Sequence, residues 1–203
     1  MQTLFGEYID TFVGVMRAIE VTVAEGKPAG ADQGIDQVHG LLRGISNGPN
    51  KLMFVGNGGS AGIAGHMAID FAKNGGVRSV TFNDASSLTC LANDLGYEQV
   101  FAKQVEMQGL HGDVLIAISS SGESKNILKA VDAAHDRGCA VVTLSGFAPS
   151  NSLRKRGAVN FYVKSGVYGF VETAHQVILH AILDTGMGWS MKAPHTQPTQ
   201  VLP

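Results

Sequence analysis

Three groups of residues in this 203-residue chain have the types and spacing to do chemistry. The first is a serine cluster. Ser119, Ser120, Ser121 and Ser124 follow the apolar run Asp113-Val114-Leu115-Ile116-Ala117-Ile118, with Gly122 and Glu123 between them, and a helical pattern begins directly after. A strand that runs into small residues and opens a helix makes an anion site. Backbone N–H groups at the helix start point at the ligand, the helix dipole favours negative charge, and serine adds hydroxyl donors. Four serines in so short a loop suggest a phosphate, bound without any Lys or Arg in the loop itself.

The second group repeats the design. Lys51-Leu52-Met53-Phe54-Val55 runs into Gly56-Asn57-Gly58-Gly59-Ser60, where glycine lets the backbone approach a ligand closely. The third group is histidine and carboxylate. His66 and Asp70 stand four apart on the helix after the first loop, so they share a face. Glu172 and His180 stand eight apart on the last helix, about 80° around it, so both can look into one cleft. Two imidazoles and two carboxylates suit a zinc-type site.

Each group has a plainer reading. Small residues make turns for packing alone, and a core His paired with a carboxylate needs no metal. Gly56-x-Gly58-x-x-Ala61 also satisfies the loose dinucleotide pattern, with Asp84 to hold a ribose, although the serine loop has no part in that fingerprint. Asn93-Asp94-Leu95-Gly96-Tyr97 reads as a turn, or as a pair of polyol contacts. Arg154-Lys155-Arg156 reads as a solvated helix start. His39, His111, His135 and His195 stand in unremarkable contexts, and His175 simply accompanies Glu172 and His180 on the last helix.

These residues must be positioned by a fold, and its elements are legible. Leu4, Tyr8, Phe12, Val15, Met16, Ile19 and Val23 recur at helical spacing, so a long amphipathic helix is expected from Met1 to about Glu25. A second is expected over Asp32–Ile45. Strands are expected at 51–55, 78–82, 113–118, 139–144 and 158–163, and helices at 60–73, 98–108, 124–137 and 170–185. Apolar strands alternating with helices make a parallel sheet covered on both faces, with ligands at the carboxyl ends of its strands. From Gly186 the sequence loses its periodicity and is expected to be an extension.

Composition narrows the class. The chain is 44% hydrophobic, enough for a sizeable core, and its net charge of −2 leaves no electrostatic footprint for nucleic acid or an anionic membrane. Its apolar runs are far short of the roughly 20 residues that span a bilayer. Met1–Phe12 carries Glu7 and Asp10 and lacks the pattern of a signal peptide. Cys90 and Cys139 sit in apolar surroundings without CxxC spacing, which reads as two buried free thiols in a reducing cytoplasm.

Taken together, Gly56-Asn57-Gly58-Gly59-Ser60, Leu91-Ala92-Asn93-Asp94-Leu95-Gly96 and Ser119–Ser124 resemble the sugar isomerase (SIS) fold and, within it, the phosphoheptose isomerases. The resemblance covers most of the chain. It implies an α/β fold, a doubly wound five-stranded parallel sheet flanked by helices with an N-terminal helical arm. Residues 1–186 would be one SIS domain and 187–203 a tail. It also implies a homotetramer with active sites at subunit interfaces and one zinc ion per subunit. Ser119, Ser120, Ser121 and Ser124 match the phosphate loop, Asn57, Gly58 and Gly59, with Ser60 beside them, the substrate-contacting turn, and Asn93 and Asp94 the sugar-contacting pair. His66 matches a zinc ligand and His180 the ligand that also serves in proton transfer; Asp70 and Glu172 fall at the two remaining positions of the site.

The implied reaction is metal-assisted aldose–ketose isomerisation of sedoheptulose 7-phosphate to D-glycero-manno-heptose 7-phosphate through an enediol. Asp70 or Glu172, whichever is nearer, would be the base, His180 the acid partner, and Glu172 also a substrate contact. The chain departs from the family pattern in having Asp70 for Glu, Glu172 for Gln, Gly169 for Asp and Ala61 for His. Those departures leave room for a related sugar phosphate as substrate. A non-catalytic sugar-phosphate-binding module, or the branch of the fold that binds the bacterial replication initiator, is the other alternative. The presence of His66, His180 and two carboxylates argues against the initiator-binding branch.

Overall fold

The computed structural model describes residues 3–45, 48–189, 192 and 202. In chain order the strands are β1 (Glu20–Val23), β2 (Lys27–Ala29), β3 (Leu52–Gly56), β4 (Ser79–Thr81), β5 (Val114–Ser119), β6 (Ala140–Ser145) and β7 (Val159–Tyr162). The helices are α1 (Leu4–Arg17), α2 (Ala31–Ile45), α3 (Gly59–Lys73), α4 (Ala85–Leu95), α5 (Ala102–Gln108), α6 (Lys125–Asp136) and α7 (Tyr168–Gly186). All seven strands form one sheet in the order β2-β1-β7-β6-β5-β3-β4.

The five runs expected as parallel strands are β3 to β7, and every pairing among them is parallel. Burial on both faces explains the apolar sequence of the central strands β3 and β5. Helices α1, α2, α3 and α7 cover one face, around Val38, Leu42, Met67, Phe71, Leu179 and Ile182. Helices α4, α5 and α6 cover the other, around Phe101, Val105, Ile127 and Val131.

The long first helix is a correction. Thr3 caps it, its hydroxyl accepting from the Gly6 N–H, but it stops at Arg17. Glu20-Val21-Thr22-Val23 instead becomes β1, antiparallel to β7 and to β2, and buries Val21 and Val23. Ile19 and Val23 fit the helical period, but Val21 and Val23 also fit the alternation of a strand. The β-branched pair finds an open sheet edge beside Phe161 and Val159. Arg154 ties this edge down: its guanidinium bonds the Glu20 carboxylate and lies 4.1 Å above the Tyr162 ring. The basic cluster is therefore not simply a solvated helix start.

Two further expectations change. The stretch before Asn93 and Asp94 is a helix, α4, so the pair sits in its last turn rather than in a loop. Asp84 is the N-cap, accepting from the Ser87 N–H at 2.8 Å, and these bonds hold its carboxyl below the usual range. Cys139 is buried, and burial pushes its thiol up to about 11, but Cys90 is exposed on the outer face of α4. Of the expected tail, residues 190, 191, 193–201 and 203 lie outside the described residues. Leu202 is buried and its N–H donates to the Gly75 carbonyl at 3.1 Å.

Opposite the site, Asp113 anchors the amino ends of β3 and β5. Fully buried, it accepts from Lys51 Nζ at 2.6 Å and from the Lys51 and Leu110 backbone N–H groups. Burial alone would raise its carboxyl, but these bonds outweigh it and hold the group low.

Candidate active site

In the sheet register Gly56 stands beside Ile118, so the loops after β3 and β5 start side by side at the carboxyl ends of their strands. Between them lies a cavity of about 220 Å³ lined by Asn57, Gly58, Gly59, Ser60, Ile118, Ser119, Ser120, Ser121, Ser124, Tyr168 and Glu172. An adjoining cavity shares Gly56, Asn57 and Gly58 and extends to Asn83, Leu88, Tyr97 and Phe101.

The serine loop is internally braced. Ser119 Oγ lies 3.2 Å from Ser124 Oγ, and the Gly122 N–H donates to the Ser119 carbonyl at 3.0 Å. Gly122 has φ +67°, a left-handed turn in which a Cβ would also collide with Asn151. Glu123 faces outward and accepts from the Ser152 N–H and hydroxyl at 2.7 and 2.8 Å. The N-cap of α6 is Ser124, whose side chain makes no capping bond. The N-cap of α3 is Gly58, at φ +54°, and it also lacks a side-chain cap. Two helix starts therefore reach the cavity with unclaimed backbone N–H groups, the arrangement that receives anions.

One carboxylate already lies at the start of α3. A Cβ built on Gly59 would run into Glu172, whose carboxylate packs against that first turn. Glu172 is presented by α7, whose first turn rests on α1 through Tyr8 and Phe170, with ring centroids 4.7 Å apart.

The second constellation lies further along the same two helices. His66 Nε2 is 3.2 Å from Asp70 Oδ2, and the His66 and His180 rings stand edge to face with centroids 5.4 Å apart. One donor atom from each of His66, Asp70 and His180 falls within 4.8 Å of the others. Two imidazoles and a carboxylate at that spacing fit a divalent metal of the zinc type. Asp184, one turn beyond His180, has its carboxyl raised by burial; His180 opposes the rise and Asp70 adds to it.

The structure thus divides the predicted site. Asn57 to Ser60, the four serines and Glu172 meet in the cavity; His66, Asp70 and His180 meet elsewhere. Glu172 is not in the metal-type cluster formed among the described residues. It stands about 80° around α7 from His180, and eight residues of helix separate the two by about 12 Å along the axis. Asn93 and Asp94 line neither cavity. They are exposed, with Asn93 Nδ2 donating to Asp94 Oδ1 at 2.9 Å.

Three site residues escaped the sequence reading. Tyr168 lines the cavity. Asn126, in the first turn of α6, bonds Asn57 across the gap between the loops. Asn151 braces Gly122 from below. The one signal in the sequence was that Asn126 directly follows the Ser124-Lys125 helix start.

Comparison with known proteins gives concordant matches. The family model described as "SIS domain" matches residues 16–146. The phosphoheptose isomerase of Helicobacter pylori is 37% identical over 153 residues, covering 72% of this chain and 79% of its own. The structure of phosphoheptose isomerase from Neisseria gonorrhoeae superposes with a TM-score of 0.70 at 30% identity, covering 90% of this chain and 99% of that one. The structure of a phosphoheptose isomerase from Francisella tularensis gives a TM-score of 0.73 at 26% identity, covering 89% and 92%.

Proposed function

Because this chain belongs to the SIS domain family, within its phosphoheptose isomerase branch, we propose that it converts sedoheptulose 7-phosphate to D-glycero-manno-heptose 7-phosphate through an enediol. It is a sugar phosphate isomerase of the aldose–ketose type. The observation that carries the finer reading is the cavity itself. Five serine residues, the uncapped start of α6 and one carboxylate face a space whose lining, among the described residues, includes no lysine or arginine.

In this reading the serine loop grips the phosphate, and binding energy at that remote end orients the reacting carbons. Aldose–ketose exchange removes a proton from the carbon beside the carbonyl and returns one to its neighbour. Glu172 is the carboxylate nearer the serine loop, so it is assigned as the base that takes the C1 proton of the ketose and delivers it to C2. His180 carries the proton that passes between the O1 and O2 oxygens. His66, Asp70 and His180 would hold a divalent cation, with zinc suited to their nitrogen and carboxylate donors. Bound there, it supplies a Lewis acid that favours the enediolate oxygens.

Glu172 and His180 are about two turns apart in one protomer. The proposal therefore includes assembly: the cavity of one subunit faces the His66–Asp70–His180 group of another in a homotetramer. Exposed Leu4, Phe5, Tyr8 and Ile9 on α1 and the half-exposed His66 ring support an interface of this kind. Asn93 and Asp94 would then reach the sugar from a neighbouring subunit. Residues 1–186 act as the SIS domain and 187–203 as its tail. No helix among the described residues is long and apolar enough to cross a membrane, and two free thiols suit a reducing cytoplasm.

The test is a panel of five-, six- and seven-carbon sugar phosphates assayed with and without chelator. Product is expected from sedoheptulose 7-phosphate. Product only from another ketose phosphate would move the substrate assignment, and turnover of nothing under any metal condition would remove the catalytic reading.

A further inference from the structure

His175 lies in the middle of α7, fully buried, between Glu172 and His180 but in neither group they belong to. Its Nε2 stands 3.2 Å from the Ser145 carbonyl oxygen. A carbonyl only accepts, so Nε2 carries the proton and Nδ1 is left as an acceptor. Burial holds the imidazole pKa down to about 4, so the ring is neutral at physiological pH.

The partner of that bond occupies a strategic place. Ser145 ends β6 and stands beside Ser119 in the sheet register. The next amide, the Gly146 N–H, donates to the Ser120 carbonyl at 3.0 Å. The carbonyl of Ser145 and the N–H of Gly146 belong to one planar peptide unit. On one side that single unit accepts from His175 and, at 2.8 Å, from the Val163 N–H of the strand end beside it; on the other it grips the serine loop. It has no slack: a Cβ at Gly146 would stand 2.7 Å from Val171 and 3.2 Å from the Ser120 carbonyl.

Three polar atoms in this neighbourhood are buried without a hydrogen-bond partner: Ser120 Oγ, Ser145 Oγ and His175 Nδ1. Such atoms cost free energy unless a ligand or a water meets them. Ser120 is 6% exposed and lines the cavity, and its buried hydroxyl has a donor to spare at the base of the serine loop.

We infer that His175 is a positioning residue. Its Nε2–H fixes the Ser145–Gly146 peptide, that peptide fixes Ser120, and the serine loop is thereby held in register with the helix that presents Glu172. This rests on the reading of the serine loop as the phosphate site.

The experiment uses the full-length protein and inorganic phosphate as probe, by titration calorimetry, with steady-state kinetics on the phosphorylated ketose. His175→Leu removes the donor, and His175→Gln keeps an N–H near the Nε2 position. His175→Leu is expected to weaken phosphate binding and raise KM by about tenfold each with kcat changed less than about threefold, while His175→Gln stays within about threefold of the unsubstituted protein. Phosphate affinity unchanged in His175→Leu, or equal impairment in both variants, would overturn the role of His175. A measurement on the unsubstituted protein covers the case in which the leucine variant does not fold. Histidine 15N–1H correlation should show a neutral His175 ring protonated at Nε2 whose resonance shifts on adding phosphate, and an unmoved resonance would overturn the inference. Failure of the unsubstituted protein to bind phosphate at all would sink the phosphate reading of the loop, and the positioning role with it.

Discussion

Asn57 and Asn126 exchange two amide hydrogen bonds, Asn57 Nδ2 to Asn126 Oδ1 at 2.9 Å and Asn126 Nδ2 to Asn57 Oδ1 at 2.8 Å. One residue belongs to the loop after β3, the other to the helix that opens from the serine loop. The pair closes a ring between the two halves of the cavity, and the Tyr97 hydroxyl adds a third bond to Asn57 Oδ1 at 3.2 Å.

Removing that ring should loosen the cavity without unfolding the protein. Asn126→Ala leaves the Asn57 amide without its reciprocal partner, a loss of about 1–3 kcal/mol when the group is buried. The expected result is a KM raised by about tenfold or more for the sugar phosphate. Kinetics alongside thermal unfolding checks this, and an unchanged KM would show that the loops hold their spacing without the pair.

Gly59 offers a test of where the Glu172 carboxylate must sit. Gly59→Ala suits a helix better by up to about 1 kcal/mol. Its methyl would meet only the end of a flexible side chain and push the Glu172 carboxylate away. The variant should fold with a Tm at or above that of the parent, and its kcat should fall by at least about tenfold. Loss of Tm with normal kcat would contradict the argument.

The two carboxylates should fail in different ways. Glu172→Gln is expected to lower kcat by about a hundredfold or more while leaving bound metal unchanged. Asp70→Asn should weaken metal retention by about tenfold or more, read by elemental analysis after dialysis. Full activity of Glu172→Gln would sink its assignment as the base, and unchanged metal retention in Asp70→Asn would sink that of Asp70 as a ligand.

Chelation should separate the two constellations. The cluster of His66, Asp70 and His180 lies about two helical turns from the cavity within this chain. Treatment with a chelator should abolish turnover, zinc should restore it, and inorganic phosphate should bind with the same affinity throughout. Loss of phosphate binding on chelation would mean that the metal organises the serine loop.

Acid should expose His175. Its folded pKa is about 4 against an ordinary 6.5, so between those values the unfolded chain binds the extra proton. By linkage, stability is fully present above pH 6.5 and falls as pH drops towards 4, by about 3 kcal/mol for this group. Asp113, held low by Lys51, loses its contribution only as pH falls further. Asp184, held high, works in the opposite sense. Denaturant titrations of the metal-free protein at several pH values should show this fall, and His175→Gln should flatten it.

Local pattern in the sequence carried much of this protein. The apolar runs at β3 to β7, the serine loop and the His66–Asp70 pair were legible because each depends on residues within a few positions of one another. Strand burial, helix opening and four-residue spacing are all local physics. Glu20–Val23 was not legible as β1, because its two periods coexist and only the free edge of β7, more than 130 residues away, selects the strand. The division of the site was likewise decided by tertiary structure. Packing of α3 beside α7 joins His180 to His66 and Asp70, and lays Glu172 on Gly59 instead. Asn126 and His175 look like ordinary helix residues until their partners, Asn57 and Ser145, are brought across the sheet. A buried hydrogen bond is specified by both its ends, and in the sequence those ends stand 69 and 30 residues apart.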